Sequence, residues 1–418
     1  VLTTASALGT LAAARCLGEH GVRVVVLDAH RFAPAAWSRY VRRYERAPTV
    51  RPIGPFLDAL LDFGERNPGH VLYATSDDLA WMFAEHETEL KRSFRLLTPP
   101  FDCIARVLDK RDLYAACEEL GIAVPETLFP ESEPEVDRAG ARLRFPVIIK
   151  PRAQVFFESA RKGVIVRSAS ALTAAYRAFA SGNRFEPTIT SRRPSIARPM
   201  IQELHTAEPI FSVSGFCDPR KGLFVARGGR KVVQWPRQAG VGMVFEDAPL
   251  DVSLADDVRR LCAATGFFGV FEAEFVQGGG TMRLIDFNPR LFHQVGFDVA
   301  RGLPSPYLVH LLALGETERL EAAVEAARNW RSSRPLVFLH RSSLALTRLA
   351  ERIAGRAPER VPESLRGARF CASDALVVEA ARDAYDWVPG VVEGLRQVGH
   401  VLQHPRSTLR AAARGYAW

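Results

Sequence analysis

Between Glu272 and Arg290 the chain reads EAEFVQGGGTMRLIDFNPR, a segment that leaves few choices of local structure. Val270 to Val276 alternates bulky and polar residues, Gly278, Gly279 and Gly280 make a turn, and Met282 to Phe287 alternates again. The spacing predicts two strands with a tight connection. Residues two apart on a strand share a face, so Glu272 and Glu274 lie on one side of the first strand, and Asp286 and Asn288 on one side of the second. With a register of even parity those faces coincide. Cross-strand neighbours then sit roughly 5 to 8 Å apart, close enough for their oxygens to share a hard cation. Two carboxylates about 4 Å apart repel by roughly 4 kcal/mol at an effective dielectric near 20, so the cluster has no structural merit by itself. A divalent cation turns that repulsion into binding. Mg²⁺ takes one or two carboxylates together with water and substrate phosphate, which leaves Arg290 to meet phosphate oxygens as a planar fork. The plainer reading of the same residues is a solvated acidic hairpin edge that ends in an Asn-Pro turn.

A chain of 418 residues with 47% hydrophobic content has room for two to four domains and a sizeable core. No run is long and apolar enough to cross a membrane, and no basic segment precedes the apolar start, so a soluble cytoplasmic protein without a secretory signal is expected. The six cysteines, Cys16, Cys103, Cys117, Cys217, Cys262 and Cys371, show no metal-ligand spacing and are too sparse for a disulfide framework. The net charge of +8 is spread in single and paired arginines with acids between them, which argues against a nucleic-acid surface. Lysine is scarce, occurring only at 91, 110, 150, 162, 221 and 231. Where arginine is the default, a retained lysine calls for a reason. Its compact ammonium fits a phosphate pocket that a guanidinium is too broad to enter. Lys110 and Lys150 are the two to follow.

The N-terminal segment reads as a strand, a turn over Thr3 to Gly9, a helix over Thr10 to His20, and a strand over Val22 to Asp28, which is a parallel α/β start. Gly9 and Asp28 suggest a dinucleotide site, but the turn has one glycine where that fingerprint needs three. Val71 to Ala74 reads as a buried strand ending in Thr75-Ser76-Asp77-Asp78. Polar residues there face a ligand crevice, cap the following helix, or do both. Asp109-Lys110 then opens a helix through Leu120, and Gly121 to Pro125 stops it. FPVIIKP, residues 145–151, is a buried strand whose Lys150 is costly unless its ammonium finds an anion. Arg161-Lys162-Gly163-Val164 is a basic turn suited either to phosphate or to a plain hairpin. MIQEL, residues 200–204, is an apolar strand entering a polar pair.

This ordered set resembles the ATP-grasp superfamily, and within it the carboxylate-amine ligases of the D-aspartate ligase-like type. The likeness covers about three quarters of the chain: Ser38-Arg39-Tyr40 and the Ser76-Asp77-Asp78 turn, Asp109-Lys110, FPVIIKP, MIQEL, the basic run Arg227 to Arg237, Gly269 to Phe275, and LIDFNPR. It implies an α/β (α+β) ATP-grasp fold in four parts. Residues 1–105 would form a Rossmann-like pre-ATP-grasp domain, 106–200 the small lobe, 201–315 the large lobe with the Mg-ATP site, and 316–418 a mainly helical C-terminal extension. Lys110, Lys150 and Lys162 would contact ATP phosphates, and Gln202, Glu203 and the Leu204 backbone would hold adenine and ribose at the hinge. Glu274, Asp286 and Asn288 would hold one or two Mg²⁺ ions. Glu274 is preferred to Glu272 because it stands five residues after Gly269, as the family's ligand does. The family has Glu where this chain has Asp286, which leaves the ion count open. Arg290 and Lys150 would act in catalysis.

The reaction so implied passes the γ-phosphate of ATP to a substrate carboxylate, and an amine then attacks the acyl phosphate to give an amide. The partners would be small carboxylates and amines, amino acids among them, with no nucleic acid and no membrane, and the protein would be a homodimer. Substrate contacts would come from Asp77, Asp78, Arg227, Arg230, Lys231, Arg237 and His293. Two other readings stand beside this one: an NAD-dependent oxidoreductase built on the N-terminal domain, and a nucleotide-binding or polyanion-binding protein that never turns over. Beyond Leu314, Glu316 to Trp330 is an amphipathic helix, and the remainder, broken by Pro358, Pro362 and Pro389, has no chemical motif.

Overall fold

The computed structural model describes residues 1–159, 163–205, 210–235, 237, 240–355, 375–406, 408 and 409. Three strands begin the N-terminal unit: β1 (Leu2–Thr3), β2 (Val24–Asp28) and β3 (Val41–Arg46), parallel and in that order, with the helix Leu8–Glu19 crossing between the first two. Val24 to Leu27 are all buried, as expected of a parallel strand covered on both faces. A second parallel pair, β4 (His70–Leu72) and β5 (Phe94–Leu96), lies alongside, and the Tyr73 amide donates to the Val1 carbonyl at 3.3 Å. The helix Asp77–Glu85 follows β4 at once. Ser76 caps it, its Oγ accepting from the Leu79 amide at 3.3 Å, so the cap and the crevice readings of this turn hold together. Asp28 accepts from the amides of Ala5 at 2.5 Å and His30 at 2.8 Å. Its carboxylate thus braces the first loop, which removes the acidic group on which the dinucleotide reading depended.

The next layer is a small antiparallel sheet. Its strands are β6 (Thr127–Leu128), β7 (Val147–Lys150), β9 (Val164–Val166) and β11 (Met200–Glu203), in the order β6-β11-β7-β9, while β8 (Phe157–Ser159) and β10 (Asn183–Phe185) form a separate ribbon. Two helices back this sheet: Val136, Ala139, Leu172, Tyr176 and Phe179 pack on Val147, Ile149 and Ile201. The far face of the sheet looks toward the third layer, a seven-stranded sheet. That sheet comprises β12 (Ile210–Asp218), β13 (Leu223–Trp235), β14 (Val241–Ala248), β15 (Gly269–Gly278), β16 (Thr281–Asn288), β17 (Leu336–Leu339) and β18 (Leu376–Glu379), ordered β16-β15-β12-β13-β14-β17-β18. Its core is aromatic: Phe271 stacks on Phe224 and on Phe287, and Phe267 meets Phe287 edge to face.

The β15–β16 turn is made by Gly279 and Gly280, with φ of 59° and 80°, the paired positive values that suit a two-residue hairpin to the sheet's twist. A Cβ at Gly279 would meet nothing within 4 Å, so the cost of a side chain there is backbone strain alone. Gly279→Val is therefore expected to lower unfolding stability by about 1–2 kcal/mol, measured by urea titration. An unchanged midpoint would mean that the turn does not hold the register.

The C-terminal region is helical over Thr317–Asn329, Arg341–Ile353 and Val388–Gln403, and it also supplies β17 and β18, which lengthen the large sheet. It is locked to the start of the chain by one buried carboxylate. Asp386 accepts from Ser38 Oγ at 2.7 Å, the Arg39 amide at 2.8 Å and Arg15 Nε at 2.9 Å. Cys16, Cys103, Cys117, Cys217 and Cys262 are buried free thiols, and Cys371 lies outside the described residues.

Candidate active site

The register of β15 on β16 has even parity. Glu272 lies opposite Asn288, Ala273 opposite Phe287, and Glu274 opposite Asp286. One face of the hairpin therefore carries all four polar side chains, and the other sends Ala273 and Phe287 into the core. The pairing slips after Glu274, where Ile285 is left over as a bulge. Its carbonyl accepts from Tyr114 Oη at 3.0 Å, which ties the hairpin to the helix Lys110–Glu119.

The four residues have different environments. Glu272 is buried and saturated: it accepts from Ser212 Oγ at 3.1 Å, Asn288 Nδ2 at 3.1 Å and the Gln294 amide group. Burial and the neighbouring Glu274 charge push its carboxyl up to about 7. Glu274 and Asp286 instead each face a lysine ammonium, Lys231 Nζ at 2.7 Å and Lys110 Nζ at 2.8 Å. Burial would raise the Asp286 carboxyl, but Lys110 more than offsets it and holds the group below the usual range. Glu272 thus serves to orient Asn288, and Glu274 and Asp286 are the carboxylates poised to exchange an ammonium for another cation.

Lys110 and Lys150 arrive from separate elements and are fixed by a buried pair next to both. Arg152 forks onto Asp109, Nε to Oδ1 at 3.0 Å and Nη2 to Oδ2 at 2.7 Å, and the Lys110 amide donates to the Arg152 carbonyl at 3.0 Å. The two side chains of the pair are only 4% and 1% exposed. Lys150 itself makes no ion pair with any described residue. Burial and the adjacent Lys110 hold its ammonium down to about 7, so an anion brought alongside it would be strongly favoured. Arg290 is held by Asp77 Oδ1 at 2.9 Å and by Asn288 Oδ1 at 2.8 Å, which links the Ser76-Asp77-Asp78 turn to the hairpin.

These groups line a cavity of about 700 Å³ between the small and the large sheet, together with Gln202, Glu203, Leu204, Arg237 and His293. Gln202 donates to Tyr114 Oη at 3.0 Å and Thr127 Oγ1 at 2.8 Å, so it braces the floor of the cleft more than it offers itself to a ligand. The Leu204 amide is also occupied, donating to the Pro146 carbonyl at 3.1 Å. With that amide occupied, the Leu204 carbonyl and the Glu203 side chain are the groups this hinge has for a base.

Three expected substrate residues fall elsewhere. Arg227 turns away from the cleft, with Nε donating to the Arg301 carbonyl at 3.0 Å and Nη2 to the Ala327 carbonyl at 2.6 Å. Arg230, on the opposite face of β13, is half exposed and 4.0 Å from Glu246. Alternation turns Arg230 away from the cleft, whereas Arg227 and Lys231 share a face and differ in position along the strand, Lys231 lying four residues further on, where its ammonium meets Glu274. Asp78 is used internally, accepting from the Phe156 amide at 2.6 Å and Arg51 Nε at 2.7 Å. Lys162 lies outside the described residues. Asp109, Arg152, Tyr114 and Gln294 take part in the site although the sequence offered no role for them beyond the Asp109-Lys110 pair. Their contacts span 43 to 171 residues along the chain or join loops, where no local spacing reports them.

The donor set suits magnesium. Among the described residues no three His, Cys, Asp or Glu side chains come together to hold a metal ion by themselves. Two carboxylates and one amide oxygen do converge, all hard oxygen donors, and ammonium groups already stand where a cation would. Mg²⁺ binds in this manner when phosphate oxygens complete its shell.

No family model matches the chain. It is 26% identical over 226 residues to the large chain of a carbamoyl phosphate synthase from Thermus thermophilus, a match covering 53% of this chain. The chain spans about a fifth of the length of that relative, 21%. A biotin carboxylase from Campylobacter jejuni, solved as a complex with β,γ-ATP, superposes with a TM-score of 0.57 at 15% identity, over 79% of this chain and 71% of that one. An L-amino acid ligase from Bacillus licheniformis gives 0.56 at 16% identity over 77% and 75%. An N5-carboxyaminoimidazole synthetase from Staphylococcus aureus, complexed with ADP, gives 0.55 at 14% over 72% of each.

Proposed function

Taking as premise that this chain has the ATP-grasp fold, we propose that it is an ATP-dependent carboxylate-amine ligase that releases ADP and phosphate. The observation that carries this reading is the pair Glu274 and Asp286, directly opposite each other on the hairpin and facing the cleft that Lys110 and Lys150 line. Bound Mg²⁺, held by Glu274, Asp286 and Asn288, would neutralise charge on the phosphates. Lys150, partly buried and without an ion-pair partner among the described residues, supplies the positive charge that a phosphoryl group in transfer requires. Lys110, whose ammonium now sits on Asp286, would give up that place to the cation and set a second ammonium against the phosphates. Arg290, oriented by Asp77 and Asn288, presents its fork to oxyanions of the acyl phosphate and of the tetrahedral adduct that the amine forms. Proton loss from the amine and departure of phosphate complete the amide, and no side-chain nucleophile is needed.

The test is ADP release with Mg²⁺ and ATP across paired amines and carboxylates, with EDTA-treated protein as the blank. Release that needs both members of a pair supports the ligase. ATP binding with no turnover on any pair would favour the nucleotide-binding protein, and failure to bind ATP would sink both.

A further inference from the structure

Asp77 and Asp78 open the helix Asp77–Glu85 side by side, and each carboxylate serves a different neighbour. Asp77 orients Arg290. Asp78, only 8% exposed, reaches another way and fastens the segment that follows Lys150. It accepts from the Phe156 amide at 2.6 Å and from Arg51 Nε at 2.7 Å, and Arg51 Nη1 in turn donates to the Phe157 carbonyl at 2.8 Å. The ion pair therefore grips two successive residues, one by its N–H and the next by its C=O. Glu186 adds a second tie between the same places: its amide donates to the Phe156 carbonyl at 3.2 Å, and its Oε1 accepts from the Ile53 amide at 3.1 Å.

What is gripped is strained. Phe156 has a φ of 46°, and it and Thr4 are the only non-glycine residues with positive φ among the described residues. A bulky residue keeps that conformation only where its surroundings impose it, and such residues gather where a neighbouring group must be aimed. The neighbouring group here is Gln154. Ala153, Val155 and Phe156 are buried in the apolar core that also holds Trp81 and Phe83 of the helix Asp77–Glu85. Gln154, among them in sequence, is exposed instead and lines the cleft with Asp77, Lys110 and Lys150. Its side-chain amide bonds to no described residue. An amide suits this place, because Lys110 and Lys150 already repel one another and a third cation would repel both, whereas an amide donates two N–H bonds without adding charge. The segment that carries Gln154 is fastened to the turn that holds Arg290, which on the ligase reading is the end of the cleft where transfer takes place.

We propose that Gln154 is a further catalytic residue, whose amide donates to an oxygen of the phosphoryl group in transfer, and that Asp78 and Arg51 are the positioning pair that aims it. The assignment of role rests on the ligase reading. One helix start then sets two groups of the transfer, Arg290 through Asp77 and Gln154 through Asp78.

Calorimetric titration of the full chain with Mg-ADP and with Mg-β,γ-methylene-ATP, whose terminal group stands in for the γ-phosphate, separates this contact from the rest of the nucleotide site. ADP release gives kcat. Gln154→Ala, at an exposed position that folding does not depend on, should weaken the methylene analogue by about tenfold or more, the worth of a hydrogen bond to a charged oxygen. It should lower kcat on a similar scale and leave Mg-ADP within about twofold. Arg51→Gln, which gives up the charge pair, should shift the same two quantities and, combined with Gln154→Ala, add nothing to them, since the pair acts through the glutamine. An Arg51→Gln effect that adds to that of Gln154→Ala, or that weakens Mg-ADP equally, makes the pair merely structural and overturns its positioning role. A Gln154→Ala protein with unchanged affinity for the analogue and unchanged kcat overturns the proposal and leaves the ligase reading standing. Binding of the analogue that depends on Gln154, without ADP release on any pair of substrates, removes the ligase reading and keeps Gln154 as a contact of the terminal phosphate. A chain that binds neither nucleotide ends both.

Discussion

Asp286→Ala is expected to reduce ADP release by about 10³-fold or more, the scale on which transition-state charge stabilisation is lost in other enzymes. Asp286 does two things at once: it stands opposite Glu274 as a hard oxygen donor, and it is the ion-pair partner of Lys110, whose side chain is only 7% exposed. Removing it takes away half of the carboxylate pair and leaves a buried ammonium without its counter-charge. Thermal melting and ATP titration separate the two effects, because a folded variant that binds ATP without turning it over has lost chemistry and not structure. Asp286→Glu provides the complementary test. The resemblance that names this position expects Glu, so the longer side chain should keep most of the activity. A fully active Asp286→Ala protein would mean that the hairpin face is an acidic surface and that the ligase reading is wrong.

The largest stability effect is expected at Asp109. The Asp109–Arg152 pair is bidentate and almost wholly buried, and Asp109 also caps the helix Lys110–Glu119 by accepting from the Arg111 amide at 3.0 Å. Asp109→Ala strands the guanidinium of Arg152 in the interior and should cost about 3–5 kcal/mol in denaturant unfolding. A loss below about 1 kcal/mol would show that water reaches the pair, as it does at surface ion pairs. The double variant Asp109→Leu with Arg152→Met removes both charges and should recover much of the stability, since an apolar pair of similar volume avoids the desolvation cost. It should not recover ATP affinity. The Lys110 amide bonds to the Arg152 carbonyl, and the two lysines flank the pair in sequence, so their placement depends on this one ion pair.

The hairpin was legible because its information is local. A period of two, three glycines and a following alternation fix which side chains share a face, and the register then brings Glu272 over Asn288 and Glu274 over Asp286. The start of the N-terminal unit was legible for a similar reason, since Val24 to Leu27 read as a strand buried on both faces. The basic run on β13 shows where local reading runs out. Arg227, Arg230 and Lys231 look alike in composition, but strand parity turns only Arg230 away; Lys231 meets Glu274 in the cleft, while Arg227, on the same face, is spent on carbonyls 74 and 100 residues away.

The sequence by itself therefore determined the chemistry that is available: hard oxygen donors on one face of a hairpin, scarce lysines retained at strand and helix ends, and an arginine fork just beyond them. Tertiary structure alone decided which of those groups are free to act. Whether a carboxylate is saturated like Glu272 or exchangeable like Glu274, and whether a lysine is paired like Lys110 or without a partner among the described residues like Lys150, depends on neighbours from distant segments. Burial sets the sign and size of those interactions, because a charge withdrawn from water is governed by whatever the fold places within a few ångströms of it. Periodicity in a chain reports the faces of its elements, and only their packing reports what those faces meet.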